Sequence, residues 1–551
     1  MAQTVSTVAK PTGTKMTATM WMAIASVMFV DFLSSMDSGI VNNVLPRIAA
    51  DLNGMPLFAW AATANLLGRA IATLLFGKLS DMFGRQLMLL ASLFLFAVGA
   101  LGSGLATSFE MLIAFRALEG LGTGSLIPIA FMVVADMFTS RERGQWASTL
   151  NIASMLAFLV GPTLGGVIAD TFGWRYTFAI GAPFILFSVV FAWFGLKETG
   201  KRAAHKIDFL GSGLMIVAII PMLLGLSWGG SAYPWTSPTI LGLLGFSFVM
   251  WVLFFIVERK ATEPMISTRV LTNRVFLTGS FWAVFTNFGL TGLGLYLPLF
   301  LQGVQGTTAA VSGQIMTPWQ VIFRLMSIVV GVLLTRMGRY KIIAVVGTVI
   351  YVIGVYLTTT WSGGTGLTEL LTVSIILGVS FGAMPTLNTI MIQNAFPKRL
   401  IGEATGGVYF FAALGGVLAP ALLGTVMTST YADTLKTNIP FAQLQSLDAK
   451  TLASLNDPRA LLNASTLNNL KTAFNTLGAN GPALLDQTVN GMRLSLNSAI
   501  SAAFWVATIC AVIGLLIILT VPNNPLADKE EDKVVVKSEA VRTEPAVAVG
   551  K

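Results

Sequence analysis

Long apolar stretches, separated by short polar breaks, run along almost the whole chain. A helix needs about 20 apolar residues to cross the hydrocarbon core of a bilayer, and each stretch is about that long or longer. The stretches are apolar on all sides, whereas strands of a membrane barrel alternate apolar and polar residues. The pattern therefore predicts an all-α polytopic membrane protein. Fourteen transmembrane helices are predicted, at residues 20–45, 56–77, 87–107, 110–136, 144–169, 174–196, 208–229, 236–257, 275–301, 308–335, 341–360, 367–391, 402–429 and 496–521.

The lysines and arginines fall mostly on one side of the predicted membrane. Of the 34, the two termini and the alternate loops that start at residue 78 hold 24, and the opposite side holds 7. Five of those 7 lie in one long loop at about 430–495, and long loops cross membranes largely regardless of charge. The positive-inside rule therefore predicts that both termini are cytoplasmic and that the long loop is external.

Composition supports a membrane protein and excludes several other classes. Hydrophobic residues make up 54% of the 551 residues and charged residues 11%, against about 25% charged residues in soluble proteins. One cysteine, Cys510, and one histidine, His205, exclude a disulfide framework, a thiolate metal site and a histidine-rich metal or haem site. We expect no metal and no cofactor. The net charge of +9 does not indicate nucleic-acid binding, because the basic residues are scattered between apolar runs.

The two ends of the chain and the long external loop carry weaker signals. The first apolar run, from Met20, is too long for a cleavable signal peptide and is predicted to be the first span. The tail after Pro522 is charged and is predicted to be a flexible cytoplasmic end. Leucines at helical spacing in the external loop predict short amphipathic helices on the outer face: Leu461, Leu462, Leu467 and Leu470.

Two pairs of similar segments indicate an internal repeat. Gly77-Lys-Leu-Ser-Asp-Met-Phe-Gly-Arg85 follows the second predicted helix, and Gly331-Val-Leu-Leu-Thr-Arg-Met-Gly-Arg339 follows the tenth. Gly161-Pro-Thr-Leu-Gly-Gly166 in the fifth helix is echoed by Ala419-Pro-Ala-Leu-Leu-Gly424 in the thirteenth. An offset of eight helices implies two six-helix bundles with two helices inserted between them. The predicted divisions are a cytoplasmic N-terminus (1–19), an N-terminal bundle (20–197), two inserted helices (198–260), a C-terminal bundle (261–521) that contains the external loop at about 430–495, and a cytoplasmic tail (522–551).

The first repeated loop has the residues of a gate. Gly77 and Gly84 allow the backbone to turn sharply, and Asp81 and Arg85 offer an ion pair to the cytoplasmic helix ends. The alternative is a turn that serves topology alone, but the repeat of the loop and the acidic Asp81 favour a latch.

The glycines of the fifth helix predict a close helix contact. Gly161, Gly165 and Gly166 form a stripe of small residues on which another helix can pack, and Pro162 removes a backbone hydrogen bond and bends the helix. Ordinary helix packing would explain the glycines but explains the adjacent proline less well. We therefore expect this helix to seal one face of a cavity.

These motifs resemble those of the fourteen-span drug:proton antiporters of the major facilitator superfamily, over nearly the full length. The resemblance rests on Met36-Asp-Ser-Gly-Ile-Val-Asn-Asn-Val-Leu-Pro46, the loop from Gly77, Arg116-Ala-Leu-Glu-Gly120 and the motif at Gly161. It implies the major facilitator fold and multidrug efflux in a cell (plasma or inner) membrane. It also implies that Asp37 is a proton or cation site and that Arg116 takes part in proton transfer. At Glu119 the family pattern has glutamine, so this chain adds a titratable group there.

Six charged residues lie deep within predicted spans, where a charge costs several kcal/mol and by default marks a pathway or site. Arg116 and Glu119 are three residues apart on one helix and can pair. Asp37, Arg116 and Glu119 are the candidate proton-coupling residues, either as a proton relay or as a permanent structural ion pair. The six deep charges are Asp31, Asp37, Arg69, Arg116, Glu119 and Arg324.

Arg69 and Arg324 lie at almost equivalent depths, eight residues before Gly77 and seven before Gly331. Two guanidinium groups that face each other across the midplane would favour an organic anion. Alternatively, each arginine pairs with an acid such as Asp31 or Asp37. Both interpretations remain open from the sequence. The candidate residues of the substrate cavity are Asp31, Asn42, Asn65, Arg69, Asn287, Trp319, Gln320 and Arg324.

The sequence thus favours a secondary transporter over an enzyme. The first hypothesis is proton-coupled efflux of amphipathic organic compounds by alternating access; the alternative is an organic-anion transporter that uses the two arginines as a clamp. A membrane sensor or enzyme is a third class, but the lone His205 is predicted to be cytoplasmic and no phosphate-binding glycine loop precedes Lys-Ser/Thr. The expected partners are a small organic substrate, protons and the lipid bilayer, with the chain as a monomer.

Overall fold

The computed structural model consists of helices joined by short connections. It describes residues 16–52, 58–138, 140–196, 208–230, 233–259, 267–307, 309–397, 400–444, 447–456, 460–461, 464–476 and 480–522. Seventeen α-helices lie in these ranges. The first eight are α1 (Ala18–Asp51), α2 (Phe58–Phe83), α3 (Arg85–Gly104), α4 (Phe109–Met137), α5 (Ser140–Thr171), α6 (Ala182–Gly195), α7 (Phe209–Trp228) and α8 (Pro238–Glu258). The other nine are α9 (Thr268–Leu271), α10 (Arg274–Leu299), α11 (Ala309–Met337), α12 (Tyr340–Thr359), α13 (Leu367–Asn394), α14 (Ile401–Asn438), α15 (Ala449–Leu455), α16 (Ala464–Asn475) and α17 (Gly481–Leu519).

A helix lies at each of the fourteen predicted spans. At the sixth span, α6 has only 14 residues and follows a 3₁₀-helix at Trp174–Ala179. In the described part of the chain, twelve helices are long and apolar enough to cross a membrane. The other two long helices, α2 and α5, carry polar ends: α2 ends with Lys78-Leu-Ser-Asp81, and α5 begins with Ser140-Arg-Glu-Arg143. The prediction of an all-α polytopic membrane protein is therefore confirmed.

Several helices begin where a polar side chain caps the first turn. Ser108 accepts a hydrogen bond from the backbone amide of Met111 at the start of α4. Asn273 does the same for the amide of Val275 at the start of α10. Such side chains satisfy amide groups that have no partner within the helix. The polar breaks between apolar runs therefore coincide with helix starts.

The buried apolar side chains form separate clusters in the two parts of the chain. Helices α1–α6 supply nearly all of two of them: one with Val27 and Leu93, which also includes Ile401 of α14, and one with Ile40. Helices α10–α17 enclose a third, with Trp282 and Tyr351. We call α1–α6 the N-terminal half and α10–α17 the C-terminal half.

Helices α7 and α8 form a hairpin that packs where the two halves meet. A fourth buried cluster joins Met215 and Ile219 of α7 and Phe254 of α8 to Ile71 of α2 and Phe410 of α14. The inserted helices therefore contact both halves.

The turn of this hairpin is fastened to both halves as well. The ring of Trp228 at the end of α7 lies edge-on to Trp60 of α2, with centroids 5.2 Å apart. Beyond the turn, Trp235 Nε1 donates to Thr425 Oγ1 of α14 at 3.0 Å. Gly230 has a φ of 72°, and a Cβ there would collide with Thr425. The glycine therefore permits both the turn and its close approach to α14.

The segment predicted as an external loop at about 430–495 is helical at both ends. Helix α14 continues to Asn438, and α17 already begins at Gly481. At 38 and 39 residues, the two helices are each longer than the roughly 20 residues that a bilayer requires. Of the leucines that predicted amphipathic helices, Leu461 and Leu470 are buried, Leu467 packs against the same core, and Leu462 lies outside the described residues.

Candidate functional site

The two repeated loops turn at glycines in a backbone conformation that other residues rarely adopt. Gly84, between α2 and α3, has a φ of 94°, and Gly338, between α11 and α12, has a φ of 63°. A residue with a Cβ is strained at such angles, whereas glycine is not. The repeat therefore preserves one kind of turn, at the end of the molecule predicted to be cytoplasmic.

Asp81 joins α2 to α14 across the boundary between the halves. Its carboxylate accepts hydrogen bonds from the backbone amides of Gly402 at 3.1 Å and Glu403 at 3.0 Å, in the first turn of α14. These amides lack partners within the helix and carry partial positive charge, so a carboxylate is stabilised there. Gly77 permits the approach, because a Cβ on it would lie 2.7 Å from the carbonyl oxygen of Gly402.

Arg85 binds Asp81 from within the N-terminal half. Its Nη2 lies 2.6 Å from Asp81 Oδ1, and its Nε lies 2.8 Å from Asp136 Oδ2 at the end of α4. Asp81 lies past residue 77, where the second predicted span ends. Burial raises the pKa of its carboxyl to about 6, and the nearby Arg85 opposes that rise. We call Asp81, Arg85 and Asp136 the latch.

Glu403 is a second buried carboxylate at the same end of α14. Lys78 Nζ of α2 lies 3.6 Å from it, and the backbone amide of Ser267 donates a hydrogen bond to it. Ser267 directly precedes α9, in the connection between the hairpin and the C-terminal half. The position of Glu403 near a span end is compatible with solvation, but the residue is only 4% exposed. No spacing in the sequence signals that it ties three distant segments together.

Further contacts between the halves lie at the same end. Gln393 of α13 donates to the carbonyl oxygen of Phe131 on α4 at 3.5 Å. The ring of Phe131 lies 6.2 Å from that of Tyr409 on α14. Together with the latch, these contacts close the molecule at its predicted cytoplasmic end.

Asp37, Arg116 and Glu119 meet inside the N-terminal half. Arg116 Nη1 lies 2.7 Å from Glu119 Oε1 and 3.7 Å from Asp37 Oδ2. The two carboxyl groups also interact with each other, and Ser103 Oγ donates to Glu119 at 3.4 Å. Arg116 and Glu119 are 5% and 0% exposed. The structure therefore brings together the three residues predicted for proton coupling, which we call the buried charge cluster.

One hydrogen-bond donor of the buried charge cluster makes no hydrogen bond to the described residues. Arg116 Nε is buried and, among the described residues, has no hydrogen-bond partner. A buried donor without a partner costs free energy, which a substrate oxygen or a water molecule would recover.

The two remaining deep arginines interact with acids. Arg69 interacts electrostatically with all three members of the buried charge cluster, and Arg324 interacts with Asp31. The six deep charges thus form two groups, each with equal numbers of acids and arginines. This arrangement agrees with the pairing of arginines and acids that the sequence left open, and it weakens the interpretation of Arg69 and Arg324 as an anion clamp.

The glycine stripe of α5 faces α1 beside this cluster. A Cβ on Gly161 would lie 3.3 Å from the carbonyl oxygen of Met36, and one on Gly165 would meet Ile40. Gly166 faces open space, since a Cβ there would have no neighbour within 4 Å. Two of the three glycines therefore let α5 pack tightly against the part of α1 that carries Asp37.

Two predicted cavity residues instead make contacts within their own half. Asn65 Nδ2 donates to the carbonyl oxygen of Arg116 at 3.2 Å and so joins α2 to α4. Trp319 is 5% exposed, and its ring lies 5.9 Å from that of Phe381 on α13. Both residues serve helix packing in this conformation.

The other polar cavity candidates are less constrained. Asn287 is half-buried and donates to the carbonyl oxygen of Ala283 on its own helix at 3.2 Å. Gln320 is exposed. The side chains of Asn42 and Pro162 lie outside the described residues.

Residues 27–420 match the family model of the Major Facilitator Superfamily. The chain is 29% identical to the multidrug transporter protein MdtP of Bacillus subtilis (strain 168), over 95% of this chain and 96% of that protein. It is 30% identical to multidrug resistance protein 3 of the same bacterium, over 88% and 92% of the two chains.

Two solved structures share the fold. The human organic anion transporter MFSD10 is 14% identical with a TM-score of 0.58, over 91% of this chain and 100% of that chain. The proton:xylose symporter XylE is also 14% identical with a TM-score of 0.58, over 94% and 99%. At this identity the likeness concerns the fold alone. The match to the family model covers well over half of the chain, so the chain belongs to the Major Facilitator Superfamily, a family of transporters and not of enzymes.

Proposed function

We propose that the protein exports amphipathic organic compounds from the cell and that proton influx drives the export. The observation that carries this proposal is the buried charge cluster, two carboxyl groups on one guanidinium within the apolar N-terminal half. Charges at this depth are costly and are retained mainly for function. The similarity to two multidrug proteins of Bacillus subtilis supports the same substrate class.

Charge balance explains how protons and substrate compete in this proposal. Asp37 and Glu119 together carry the charge that Arg116 and Arg69 neutralise. A proton bound to either acid leaves an excess positive charge in a medium of low dielectric constant. A cationic compound in the cavity would add further positive charge, so its binding favours release of the proton. Competition of this kind is the basis of antiport.

The closed latch supports alternating access. In this conformation the halves touch at the predicted cytoplasmic end, where Asp81 caps α14. We propose that this state opens to the outside, accepts protons there, and converts to a state that opens to the cytoplasm as the halves rock. The neutral grouping of Arg69 and Arg324 with acids gives the anion-transport alternative no specific support.

The test is transport by purified protein in liposomes, with and without a pH gradient. We expect accumulation of a lipophilic cation, such as a fluorescent dye, to collapse when the proton gradient is dissipated. Asp37→Asn should abolish gradient-driven transport, while Asp433→Asn, which removes an exposed acid of α14, should leave it unchanged. Gradient-driven transport that survives in Asp37→Asn would refute the role of Asp37. Transport of anions with no transport of the lipophilic cation would refute the substrate class.

Location and assembly belong to the same proposal. We propose that the protein lies in the cell membrane as a monomer with both termini in the cytoplasm. The single Cys510 makes the orientation testable, because a Cys510→Ser background allows cysteines to be placed singly in loops. A cysteine near Arg339 should react only with permeant thiol reagents in intact cells, whereas one near Asp433 should react with impermeant reagents too.

A further inference from the structure

The two halves meet along two seams that the internal repeat makes equivalent. Placing Gly77 on Gly331 aligns α2 with α11, and placing Pro162 on Pro420 aligns α5 with α14. The contact of α2 with α14 therefore corresponds to the contact of α11 with α5, and helices pack against each other in both places. Each contact separates the bilayer from the space between the halves. We call the two contacts the α2–α14 seam and the α5–α11 seam.

The hairpin of α7 and α8 covers the α2–α14 seam. Ile71 of α2 is 8% exposed and Phe410 of α14 is 5% exposed, and both belong to one buried cluster with Phe254 of the hairpin. The ring of Trp251 on α8 lies 6.2 Å from that of Phe410. A compound in the bilayer therefore meets the hairpin before it meets this seam.

The equivalent positions of the α5–α11 seam are not covered. By the alignment of the repeats, Leu325 of α11 takes the place of Ile71, and Ile152 of α5 takes the place of Phe410. Their side chains are 47% and 39% exposed. Because the hairpin lies on the bilayer side of Ile71 and Phe410, the equivalent side chains face acyl chains. Apolar residues at the same depth are thus covered in one seam and open to lipid in the other.

The two seams therefore differ in what it costs to open them toward the bilayer. Acyl chains are as apolar as leucine, so helices in a bilayer gain little hydrophobic free energy from contact with each other. When α5 and α11 part, acyl chains or the apolar part of a compound replace the lost contacts. Parting α2 from α14 would also break the packing of the hairpin and the fastening of its turn to both halves.

The helices of the α5–α11 seam also carry polar and close-packed positions suited to an amphipathic compound. Thr317 and Gln320, three residues apart on α11, are exposed within a predicted span, where contact of a polar side chain with acyl chains is costly. Gly161 of α5 packs against Met36, next to Asp37, so the seam lies beside the buried charge cluster. A compound with its apolar part in the seam can direct its polar or cationic part toward these residues.

We propose that amphipathic compounds enter the space between the halves from the cytoplasmic leaflet of the bilayer through the α5–α11 seam, and that the hairpin closes the equivalent seam to them. The proposal rests on the proposed export of such compounds. In the proposed state that opens to the cytoplasm, the halves part at their cytoplasmic ends, so the seam opens toward that leaflet. A compound with a large apolar part is concentrated in the bilayer relative to water, which makes this route the shorter one.

A photoreactive amino acid on each side of the molecule tests the route. Benzoylphenylalanine takes the place of Leu325, of Ile152 or, as a matched control, of Val252 on α8, which is 42% exposed. The probe is the lipophilic cation hexyltriphenylphosphonium in proteoliposomes with a proton gradient, and mass spectrometry of the protein measures its attachment. We expect several-fold more attachment at Leu325 and Ile152 than at Val252, and a decrease with excess tetraphenylphosphonium. Equal attachment at the three positions, or attachment that the competitor does not reduce, would overturn the route.

Bulky substitutions test whether passage through the seam limits transport. Leu325→Trp crowds the seam and should lower the initial rate of hexyltriphenylphosphonium transport about tenfold, whereas Val252→Trp should leave it unchanged. The loss in Leu325→Trp should be smaller for methyltriphenylphosphonium, because this compound partitions less into the bilayer. A rate equal to that of the parent, or an equal loss for both compounds, would contradict entry through the seam.

Transport by the parent protein keeps this outcome separate from the proposed function. If the parent does not transport the lipophilic cation in response to the proton gradient, the proposed function fails whatever the attachment shows. If transport is driven by the gradient but attachment is equal at the seam and at Val252, the entry route alone fails.

Discussion

The loop after α2 and the loop after α11 share a turn and a closing arginine, but their arginines lie in different surroundings. Arg85 is largely buried and contacts Asp81 and Asp136, whereas Arg339 is exposed. Asp81 then binds the start of α14 in the other half. The comparison separates two properties that one motif combines: glycine sets the turn, and the buried acid with its arginine makes the contact between halves.

The largest expected effect comes from removing the arginine of each loop in turn. Arg85→Gln leaves Asp81 and Asp136 without their cation and should destabilise the closed latch by about 3 kcal/mol. Arg339→Gln removes an exposed charge and should change stability by less than about 0.5 kcal/mol. Thermal unfolding of the purified variants, alongside efflux from cells, measures both. Equal losses in the two variants would show that the loops do not differ in this way.

A smaller effect is expected from crowding the helix contact that the latch needs. A methyl group on Gly77 would lie 2.7 Å from the carbonyl oxygen of Gly402 and 3.3 Å from Cα of Gly406. Gly77→Ala should therefore cost the closed state about 2 kcal/mol, since overpacking forces the helices apart. Gly166→Ala, at an open position of α5, is the matched control. Spin labels at the cytoplasmic ends should show more open molecules in Gly77→Ala alone.

Replacing the glycine of each turn by alanine should give a smaller difference in stability between the two loops. Gly84 combines a φ of 94° with a ψ of 153°, a region that is essentially reserved for glycine. Gly338, at a φ of 63°, lies nearer to the left-handed helical region that other residues enter at a cost of about 1–2 kcal/mol. Gly84→Ala should therefore destabilise the protein by about 2 kcal/mol and Gly338→Ala by about 1 kcal/mol. The order of their melting temperatures tests this, and a reversed order would contradict it.

The smallest expected difference is in how steeply the stability of the protein changes with pH. Because burial raises the pKa of Asp81 to about 6, the closed latch binds a proton more tightly than the open one. Its contribution is therefore fully present below about pH 4 and is lost as the pH rises through about 6. Asp81→Asn should remove this dependence. Melting temperatures of the two proteins across this range should converge toward low pH if ionisation of Asp81 is the cause, and run parallel if it is not.

The sequence predicted those features that depend on position along one helix or in one loop. Each predicted span contains a helix, and Arg116 and Glu119, three residues apart, do form an ion pair. Apolar length and helical spacing are local properties, which explains this success. The family resemblance gave Asp37 and Arg116 separate roles in proton coupling, and their contact across two helices is a finding of the structure.

Contacts between distant helices were beyond the sequence. The hydrogen bond from Ser154 to Asp31 and the contacts of Glu403 with Lys78 and Ser267 depend on how helices rotate about their axes and how the halves meet. Asn65 shows that the sequence also leaves open which way a polar side chain within a span faces. A polar side chain in a span can face a cavity or satisfy a neighbouring backbone, and hydropathy does not distinguish the two.

The fastening of the hairpin at the opposite end of the molecule gives the latch a mechanical context. Trp60 and Asp81 are both on α2, and the 21 residues from one to the other span about 32 Å. If Trp60 stays against Trp228 as α2 tilts, a rotation of about 10° moves Asp81 by roughly 6 Å at that length. This displacement is larger than the 3.0 Å hydrogen bond to the amide of Glu403. The end of α2 at the hairpin then stays in place while its other end moves. A small rotation of α2 therefore breaks the contact of Asp81 with α14 on the other side of the membrane.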